Sequence, residues 1–363
     1  MIGRAFRGFD VPLLLAVALL SGIGVLMISS ATSNSPGLEG YALRQIIYTV
    51  VGLVLMLVMT AIDYRVIASL RWPILILTLI MLAVIFALGY ASHGSQRWFD
   101  LGFFNLQPSE ITKVAFVIVL ASFLGSRGEQ MGRLSTLTIS LVLLALPTAL
   151  IYLQPDLGTA LVLVWVWAVM IFTAGVSTLY LGLMGLGGLA ALPFVWTRLQ
   201  GYMQRRLLTF LNPQSDPSGY YNIQQALVAI GSGSLFGKGF RLGSQSQLHY
   251  LRIRHTDFLF SVIGEELGLV GCLLIIGLLG FILWRLLRAA ELARDPLGRF
   301  IAVGLAAILF FQSVVNIGVN LGVMPVTGIP LPFVSFGGSA HITFWMAIGL
   351  VQSVLLRHKK IDF

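Results

Sequence analysis

A cluster of ionisable residues ends a polar stretch and leads directly into an apolar run. Arg252, Arg254, His255 and Asp257 precede residues that are typical of a membrane helix. Asp is a favoured N-cap residue, so Asp257 could serve only to start that helix. Its neighbours favour a functional role instead, because Glu265 and Glu266 follow within the helix, where ionisable groups are costly and default to functional hypotheses. The residues themselves leave both alternatives open.

Two glutamates follow about two turns further into the same run. At helical spacing, Ser261 shares the face of Asp257. Glu265 is offset from that face by about 80°, and Glu266 points the other way. We therefore expect that the two glutamates cannot serve one site equally.

Two further acids stand at the beginning of apolar runs. Glu110 follows Gln-Pro-Ser, and Asp156 follows Gln-Pro. Proline at the first helical position with a carboxylate in the first turn is typical of a helix start, and this is the simpler interpretation of both acids. Lys113 lies three residues after Glu110, so the two side chains can pair. The alternative is that Lys113 meets an anionic group held at the membrane surface.

The C-terminal third contains a polar stripe and an irregular segment. Gln312, Asn316 and Asn320 recur every four residues, a pattern that in a membrane usually indicates interhelical hydrogen bonds. The segment 322–339 contains three prolines and four glycines. Irregular backbone near membrane depth must be covered by protein or line a water-filled cavity. We therefore expect a cavity wall there, or else a tight re-entrant turn.

The composition places these residues in a membrane protein. Of 363 residues, 57% are hydrophobic and 10% are charged, whereas about a quarter of residues are charged in soluble domains. The net charge of +9 does not indicate a nucleic-acid protein, because the basic residues lie in short loops rather than in one solvated patch. Cys272 is the only cysteine, which excludes an internal disulfide and a multi-cysteine metal site.

Ten apolar runs are long enough to cross a bilayer, which takes about 20 residues. The predicted spans are 9–31, 42–62, 72–90, 108–125, 134–153, 157–174, 177–197, 258–284, 299–323 and 339–356. The first run lacks a clear cleavage site, so it is predicted to be a span and not a signal peptide. By the positive-inside rule both termini are cytoplasmic, and the large loop at 197–257 is extracytoplasmic. No linker separates a second domain, so residues 1–363 are predicted to form a single integral-membrane domain.

This topology directs the N-termini of the fourth, sixth, eighth and tenth spans to the outer face. Helix N-termini attract anions. The glycine-rich segment 231–239 lacks the spacing of a Walker A motif. No Cys/His metal cluster, nucleophile elbow or dinucleotide fingerprint is visible in the sequence. The residues alone therefore predict an outward-facing polar cavity lined by acids, bases and helix ends.

The chain resembles the SEDS family of bacterial shape, elongation, division and sporulation proteins, and its cell-elongation members most closely. The resemblance covers nearly the whole chain. The motifs that carry it, in order, are Gln107 to Glu110 with Lys113, Gln154 to Thr159, His255 to Phe258 with Gly264 to Glu266, and Pro325 to Pro332 with Gly337 to Ser339. Phe336 stands where the family often has Tyr, a departure that puts little in doubt.

This resemblance implies an all-α, multi-pass peptidoglycan glycosyltransferase of the bacterial cytoplasmic membrane, which polymerises lipid II during cell elongation. Asp257 matches the essential aspartate of the family and is expected to act as general base. The residues expected to contact substrate are Lys113, Glu110, Asp156, Arg254, His255, Thr256, Ser261, Glu266, Thr327 and Ser339. A divalent cation, Mg²⁺ or Mn²⁺, is the one cofactor considered, and no organic cofactor is expected.

The expected partners are lipid II, a class B penicillin-binding protein that crosslinks the glycan, and the elongation proteins MreC and MreD, with no nucleic acid. Two other functions stay open. A lipid II flippase would need polar groups along a path at mid-membrane depth, whereas the strongest acids here gather at the outer face. A non-catalytic scaffold of cell-wall enzymes would not depend on those acids.

Overall fold

The computed structural model describes residues 8–33, 37–88, 90–92, 95–100, 102, 104–199 and 201–358. Within these residues, seven helices are long and apolar enough to cross a membrane, and three shorter apolar helices accompany them. The protein is an all-α, multi-pass membrane protein, as the sequence predicted.

The ten apolar helices lie within a few residues of the predicted spans, except that the eighth continues to residue 292. They are α1 (Val11–Thr32), α2 (Tyr41–Ala61), α4 (Arg71–Leu88), α5 (Pro108–Gly125), α6 (Leu134–Leu153), α7 (Leu157–Thr173), α8 (Thr178–Arg198), α12 (Leu259–Leu292), α13 (Pro296–Asn320) and α14 (Gly338–Leu356). A short helix, α3 (Tyr64–Ser69), joins α2 to α4.

Three helices form the centre of the bundle. The buried share of the most apolar window is 83% in α5, 78% in α13 and 83% in α14, against 22% in α2. Glycines let these helices approach closely: a Cβ at Gly304 of α13 would overlap Val117 of α5, and one at Gly349 of α14 would overlap the backbone at Met56 of α2. Small residues commonly permit such packing in membranes, where apolar burial gives helices no preference for each other over lipid.

The connections between helices carry structure of their own. A small antiparallel sheet with strand order β1-β2-β3 lies between α4 and α5, formed by Tyr90–Ser92, Ser95–Asp100 and Asn105–Leu106. The large loop contains α9 (Gly201–Leu211), α10 (Pro217–Ser232) and α11 (Ser244–Gln247). The sequence analysis predicted none of these elements.

The helix α12 is broken at Gly268. Its backbone there has φ 68° and ψ −164°, a combination that is essentially restricted to glycine. The glycine-rich loop supplies the hydrogen bonds that the helix loses. The N–H groups of Lys238 and Gly239 donate to the carbonyls of residues 265 and 266, while those of Leu269 and Val270 donate to the carbonyls of residues 234 and 235. The segment 231–239 therefore completes a broken membrane helix.

Candidate active site

Asp257 lies just before α12 and does not cap it. The helix begins at Leu259, and Phe258 occupies the N-cap position. The alternative in which Asp257 serves as N-cap is therefore wrong. Asp257 is partly exposed and belongs to the turn by which the large loop enters the bundle, so its position depends on what holds that turn.

The turn is held through three consecutive backbone carbonyls. The carbonyl of His255 accepts a hydrogen bond from the N–H of Phe336 at 3.0 Å. The carbonyl of Thr256 accepts one from the Ser335 hydroxyl at 2.6 Å. The carbonyl of Asp257 accepts two, at 2.8 and 3.2 Å, from side-chain amides of α13. The irregular segment between α13 and α14 thus packs directly against the turn that carries Asp257, and its role as a cavity wall stays a prediction.

The two amides belong to Asn320 and Asn316. Nδ2 of Asn320 makes the shorter bond to the carbonyl of Asp257, and Nδ2 of Asn316 makes the longer one. Oδ1 of Asn320 also accepts from the N–H and the hydroxyl of Ser261, at 3.0 and 2.6 Å. The polar stripe therefore forms interhelical hydrogen bonds, as predicted. Its third member, Gln312, has no hydrogen-bond partner within the described residues.

Aromatic side chains pack against one another next to the turn, and they include that of His255. Tyr41 stacks on Phe336 with centroids 4.5 Å apart, and the His255 ring meets the Tyr41 ring edge-on at 5.3 Å. Burial, followed by the nearby charge of Arg254, lowers the pKa of His255 to about 4, so its imidazole is neutral at pH 7. Cζ of Arg44 lies 5.6 Å from the centroid of the Tyr41 ring, which brings an exposed cation to the rim of the site.

Arg254 is buried and joins the loop to the end of α1. Its Nε donates to the carbonyl of Ala31 at 2.6 Å, and Nη1 donates to the carbonyl of Leu251 at 3.5 Å. Burial lowers the pKa of Arg254 below its usual value. These contacts favour a structural role for Arg254, and its assignment to substrate stays a prediction.

Glu265 and Glu266 are fully buried and bind the large loop. The carboxylate of Glu265 accepts from Nζ of Lys238 at 2.9 Å and from the N–H groups of Gln245 and Ser246 at 2.8 and 3.1 Å. Because this carboxylate has several donors, including a cation, its charge is compensated inside the protein. Glu265 therefore fixes the segment that precedes Asp257.

Glu266 holds the same loop from a different direction. Its carboxylate accepts from the Ser30 hydroxyl of α1 at 2.7 Å and from the N–H of Arg241 at 3.1 Å. The two glutamates thus bind the same loop through different main partners. The contacts of Glu266 give it an anchoring role, and its assignment to substrate stays a prediction.

A second polar corner joins the N-termini of α5, α7 and α14. Asp156 caps α7 by accepting from the N–H and hydroxyl of Thr159 at 3.2 and 2.9 Å. It also accepts from Gln107 at 3.3 Å, and Nη1 of Arg97 lies 3.8 Å from it. The Ser339 hydroxyl accepts from the N–H of Gln107 at 2.9 Å and donates to a carbonyl of β3 at 2.8 Å. The starts of these three helices therefore lie together at one end of the bundle.

Glu110 and Lys113 form a buried ion pair within the bundle. Nζ of Lys113 lies 2.7 Å from Oε2 of Glu110, and both side chains are buried. The adjoining cavity measures only about 20 Å³, which is room for about one water molecule. Nζ also lies 5.8 Å from the centroid of the Phe344 ring. This geometry fits the structural alternative better than contact with a group at the membrane surface.

The two remaining predicted residues lie in different parts of the site. Ser261 is linked to the turn of Asp257 because the side chain of Asn320 binds both Ser261 and the carbonyl of Asp257. Thr327 lies by α7, where its carbonyl packs against Gly158, and its hydroxyl has no hydrogen-bond partner within the described residues. These positions leave the substrate assignments untested.

Sequence reasoning missed four residues at the site. Asn316 and Asn320 were assigned only to helix packing, although their position near the outer end of a predicted span could have connected them with Asp257. Ser335 gave no signal, because a hydrogen bond to a residue 79 positions away fixes its place, and Arg44 gave none because Tyr41, which it contacts, stacks on the distant Phe336.

The described part of the chain contains no group of three or more His, Cys, Asp or Glu side chains that could hold a metal ion. Mg²⁺ often binds through one or two carboxylates, with substrate phosphates and water completing its coordination. The single carboxylate of Asp257 fits a divalent cation only in that way.

The fold and the site define a polytopic α-helical membrane protein with a carboxylate fixed at one face of the bundle. The model of the FtsW, RodA and SpoVE family, described as cell cycle protein, matches residues 11–360. The chain belongs to this family.

Relatives of established name cover nearly the whole chain. Peptidoglycan glycosyltransferase MrdB of Escherichia coli K12 is 40% identical over 97% of this chain and 95% of its own length. A probable peptidoglycan glycosyltransferase FtsW of Geobacter metallireducens is 38% identical, over 98% and 97%.

Solved structures agree with the fold. A chain from a peptidoglycan synthase complex that coordinates polymerization and crosslinking has a TM-score of 0.81 at 33% identity, covering 96% of this chain and 98% of its own. Rod shape determining protein RodA of Thermus thermophilus has a TM-score of 0.73 at 32% identity, covering 96% and 97%.

Proposed function

We infer that this chain is a peptidoglycan glycosyltransferase that polymerises lipid II into glycan strands during cell elongation. The observation that carries the inference is the fixed position of Asp257, whose turn is held through three consecutive carbonyls. A catalytic group that is already held in the reactive geometry lowers the entropic part of the activation barrier. The names of the relatives supply the substrate class.

Asp257 acts as general base in this mechanism. Its carboxylate takes the proton from the 4-hydroxyl of the acceptor sugar while that oxygen attacks the anomeric carbon of the donor. The bond from this carbon to the pyrophosphate oxygen breaks with inversion, and undecaprenyl pyrophosphate leaves with the electron pair. A glycosidase also needs a carboxylic acid to protonate its leaving oxygen. Pyrophosphate leaves as an anion, so one carboxylate suffices.

The leaving group needs positive charge where its own charge develops. Arg44 is exposed at the rim of the site, and within the described residues it makes no ion pair with a carboxylate. The N-termini of α5, α7 and α14 converge nearby and add partial positive charge. We assign charge stabilisation to Arg44 first, because Lys113 is already paired with Glu110. A divalent cation bound by Asp257 and substrate phosphates would supply the same charge.

The proposal requires the face that carries Asp257 to be extracytoplasmic and both termini to be cytoplasmic. Arg65, Arg285 and Arg357 lie at the opposite end of the bundle, in ion pairs with aspartates. Cytoplasmic loops carry the excess of basic residues, which supports this orientation. A cysteine placed at Ser218, in the large loop, should react with a membrane-impermeant maleimide in intact spheroplasts, and protection from it would refute the orientation.

The partner we propose is a class B penicillin-binding protein that crosslinks the product, with MreC and MreD as further members of the assembly. The similarity to a chain of a synthase complex that couples polymerization with crosslinking supports the first of these. Co-purification with each protein from membranes would test the three partners separately.

The decisive assay uses the purified full chain, fluorescent lipid II, and a partner whose crosslinking is blocked by a β-lactam. Asp257→Asn keeps the size of the side chain but removes the base, so polymerisation should fall about 10²- to 10⁴-fold. Asp216→Asn is the matched control. Asp216 caps α10 in the same loop, and asparagine caps equally well, so activity should not change.

Polymer formed at the wild-type rate by Asp257→Asn would refute the base assignment. A wild-type chain that makes no polymer but moves lipid II across liposomes would favour the flippase, and one that does neither would favour the scaffold.

A further inference from the structure

A cavity of about 400 Å³ lies between α4, α5 and α6, at the end of the bundle opposite Asp257. The start of α4, the end of α5 and the segment after it surround its polar part, through Arg71, Ser126 and Arg127. Ile139 of α6 lines the apolar part, and it is 40% exposed. The cavity is therefore open to the surface that faces lipid.

Each of its two arginines lies over an aromatic ring. Cζ of Arg127 is 4.6 Å from the centroid of Phe123, and Cζ of Arg71 is 6.0 Å from that of Trp72. A guanidinium that is stacked on a ring keeps its N–H donors in the plane, where they can bind phosphate oxygens in pairs. Trp72 is 54% exposed, and Trp is enriched at the headgroup level of membranes.

No carboxylate whose side chain the structure describes neutralises these cations. Neither Arg71 nor Arg127 makes an ion pair with one of them, and the side chain of Glu129 lies outside the described part of the chain. The helix dipoles add little net potential at the cavity, because the positive N-terminal end of α4 and the negative C-terminal end of α5 both lie there and offset each other. The two guanidiniums therefore set the local potential as positive.

Positive-inside bias explains why arginines occur at this end of the bundle. It does not explain a cavity of this volume, bounded by both of them and continued by an apolar wall. That combination matches a molecule with an anionic phosphate at one end and acyl chain at the other.

We propose that this cavity binds one anionic glycerophospholipid, with its phosphate between Arg71 and Arg127 and an acyl chain along Val119, Ile139 and Leu143. The occupant is a bilayer lipid because the cytoplasmic leaflet supplies anionic phospholipid around this end. The choice of occupant rests on the orientation proposed above, but the site is separate from that of glycosyl transfer, so a failure of the polymerisation assay would not bear on lipid binding.

The test is native mass spectrometry of the delipidated full chain, titrated separately with phosphatidylglycerol, phosphatidylcholine and undecaprenyl phosphate. Wild type should retain phosphatidylglycerol at least about tenfold more strongly than phosphatidylcholine, since each arginine near the surface adds measurable attraction for anionic lipid. Arg71→Gln/Arg127→Gln should remove that preference. The control, Arg133→Gln/Arg294→Gln, removes the same charge from exposed positions at the same end and should retain it.

A second variant leaves the charges in place. Ile139→Trp fills the apolar part of the cavity at a partly exposed position that folding tolerates, and it should weaken retention of phosphatidylglycerol about tenfold through lost chain contacts. Equal binding of both phospholipids, equal loss in the control, or a stronger preference for undecaprenyl phosphate would each overturn the proposal. A folded Ile139→Trp variant with unchanged retention would do so as well.

Discussion

Replacing Asn320 with alanine should slow glycosyl transfer while leaving the affinity for lipid II nearly unchanged. Asn320 makes the shorter of the two hydrogen bonds to the carbonyl of Asp257, and it also binds Ser261 at the first turn of α12. It is fully buried, so water cannot easily replace it. Without it, the carbonyl of Asp257 loses the shorter of its two amide bonds and keeps the longer one, from Asn316.

The magnitude follows from the groups that lose a partner. A buried polar group left unsatisfied costs about 1–3 kcal/mol. Asn320→Ala removes the shorter hydrogen bond to the Asp257 carbonyl and leaves the N–H and hydroxyl of Ser261 without this acceptor. Asn316→Ala leaves the Ile329 carbonyl without this donor and removes the longer hydrogen bond to the Asp257 carbonyl. A misplacement of about 1 Å can cost about 10²-fold in rate, so we expect kcat to fall about 10- to 100-fold for Asn320→Ala and less for Asn316→Ala.

The stripe contains its own control. Gln312 lies two turns below Asn320 on the same helix and has no hydrogen-bond partner among the described residues. Gln312→Met has similar volume and removes only this unsatisfied amide, so activity should be retained and stability should not fall. The assay is steady-state polymerisation of fluorescent lipid II, with the folded fraction of each variant measured by size-exclusion chromatography. Full activity in folded Asn320→Ala, or equal loss in Gln312→Met, would refute the positioning argument.

Three further outcomes are expected. Gly268→Ala should lower the melting temperature strongly, because a Cβ there would overlap the loop backbone and the φ/ψ pair costs a non-glycine residue about 1–3 kcal/mol; Gly277→Ala, which meets nothing within 4 Å, should not. Lys113→Ala should destabilise by about 3–5 kcal/mol through an unpaired buried charge, whereas Glu110→Gln/Lys113→Met should recover most of the stability and the activity. The pKa of His255 is about 4 when folded, so stability should fall as pH drops from about 6.5 to 4, by roughly 3 kcal/mol; His255→Gln should flatten this dependence in thermal melts.

The spans were predictable because membrane insertion depends on a local property, the apolar character of about 20 successive residues. The break at Gly268 was not. It lies inside an apolar run with no proline, and glycine is common in transmembrane helices. What breaks the helix is the loop 234–239, whose backbone replaces the lost hydrogen bonds. A partner more than 25 residues away cannot be inferred from local pattern.

The loop itself illustrates the same limit. The segment 231–239 lacks the spacing of a Walker A motif, and nothing in the spacing of Gly233, Gly237 and Gly239 predicts that the segment packs on α12. Two of them lie so close to residues 264–266 that a Cβ would overlap that backbone. Close contact with α12 therefore explains why glycine occurs at positions 233 and 237.

Asp257 shows how a residue's role can be predicted while its support is not. The expectation that it acts as general base comes from the family resemblance, whose motif is visible in the sequence. Its position follows from Phe336, Ser335 and the two asparagines, which arrive from α13 and the segment after it. Because these groups bind backbone carbonyls and not the carboxylate, they can fix the base without neutralising it.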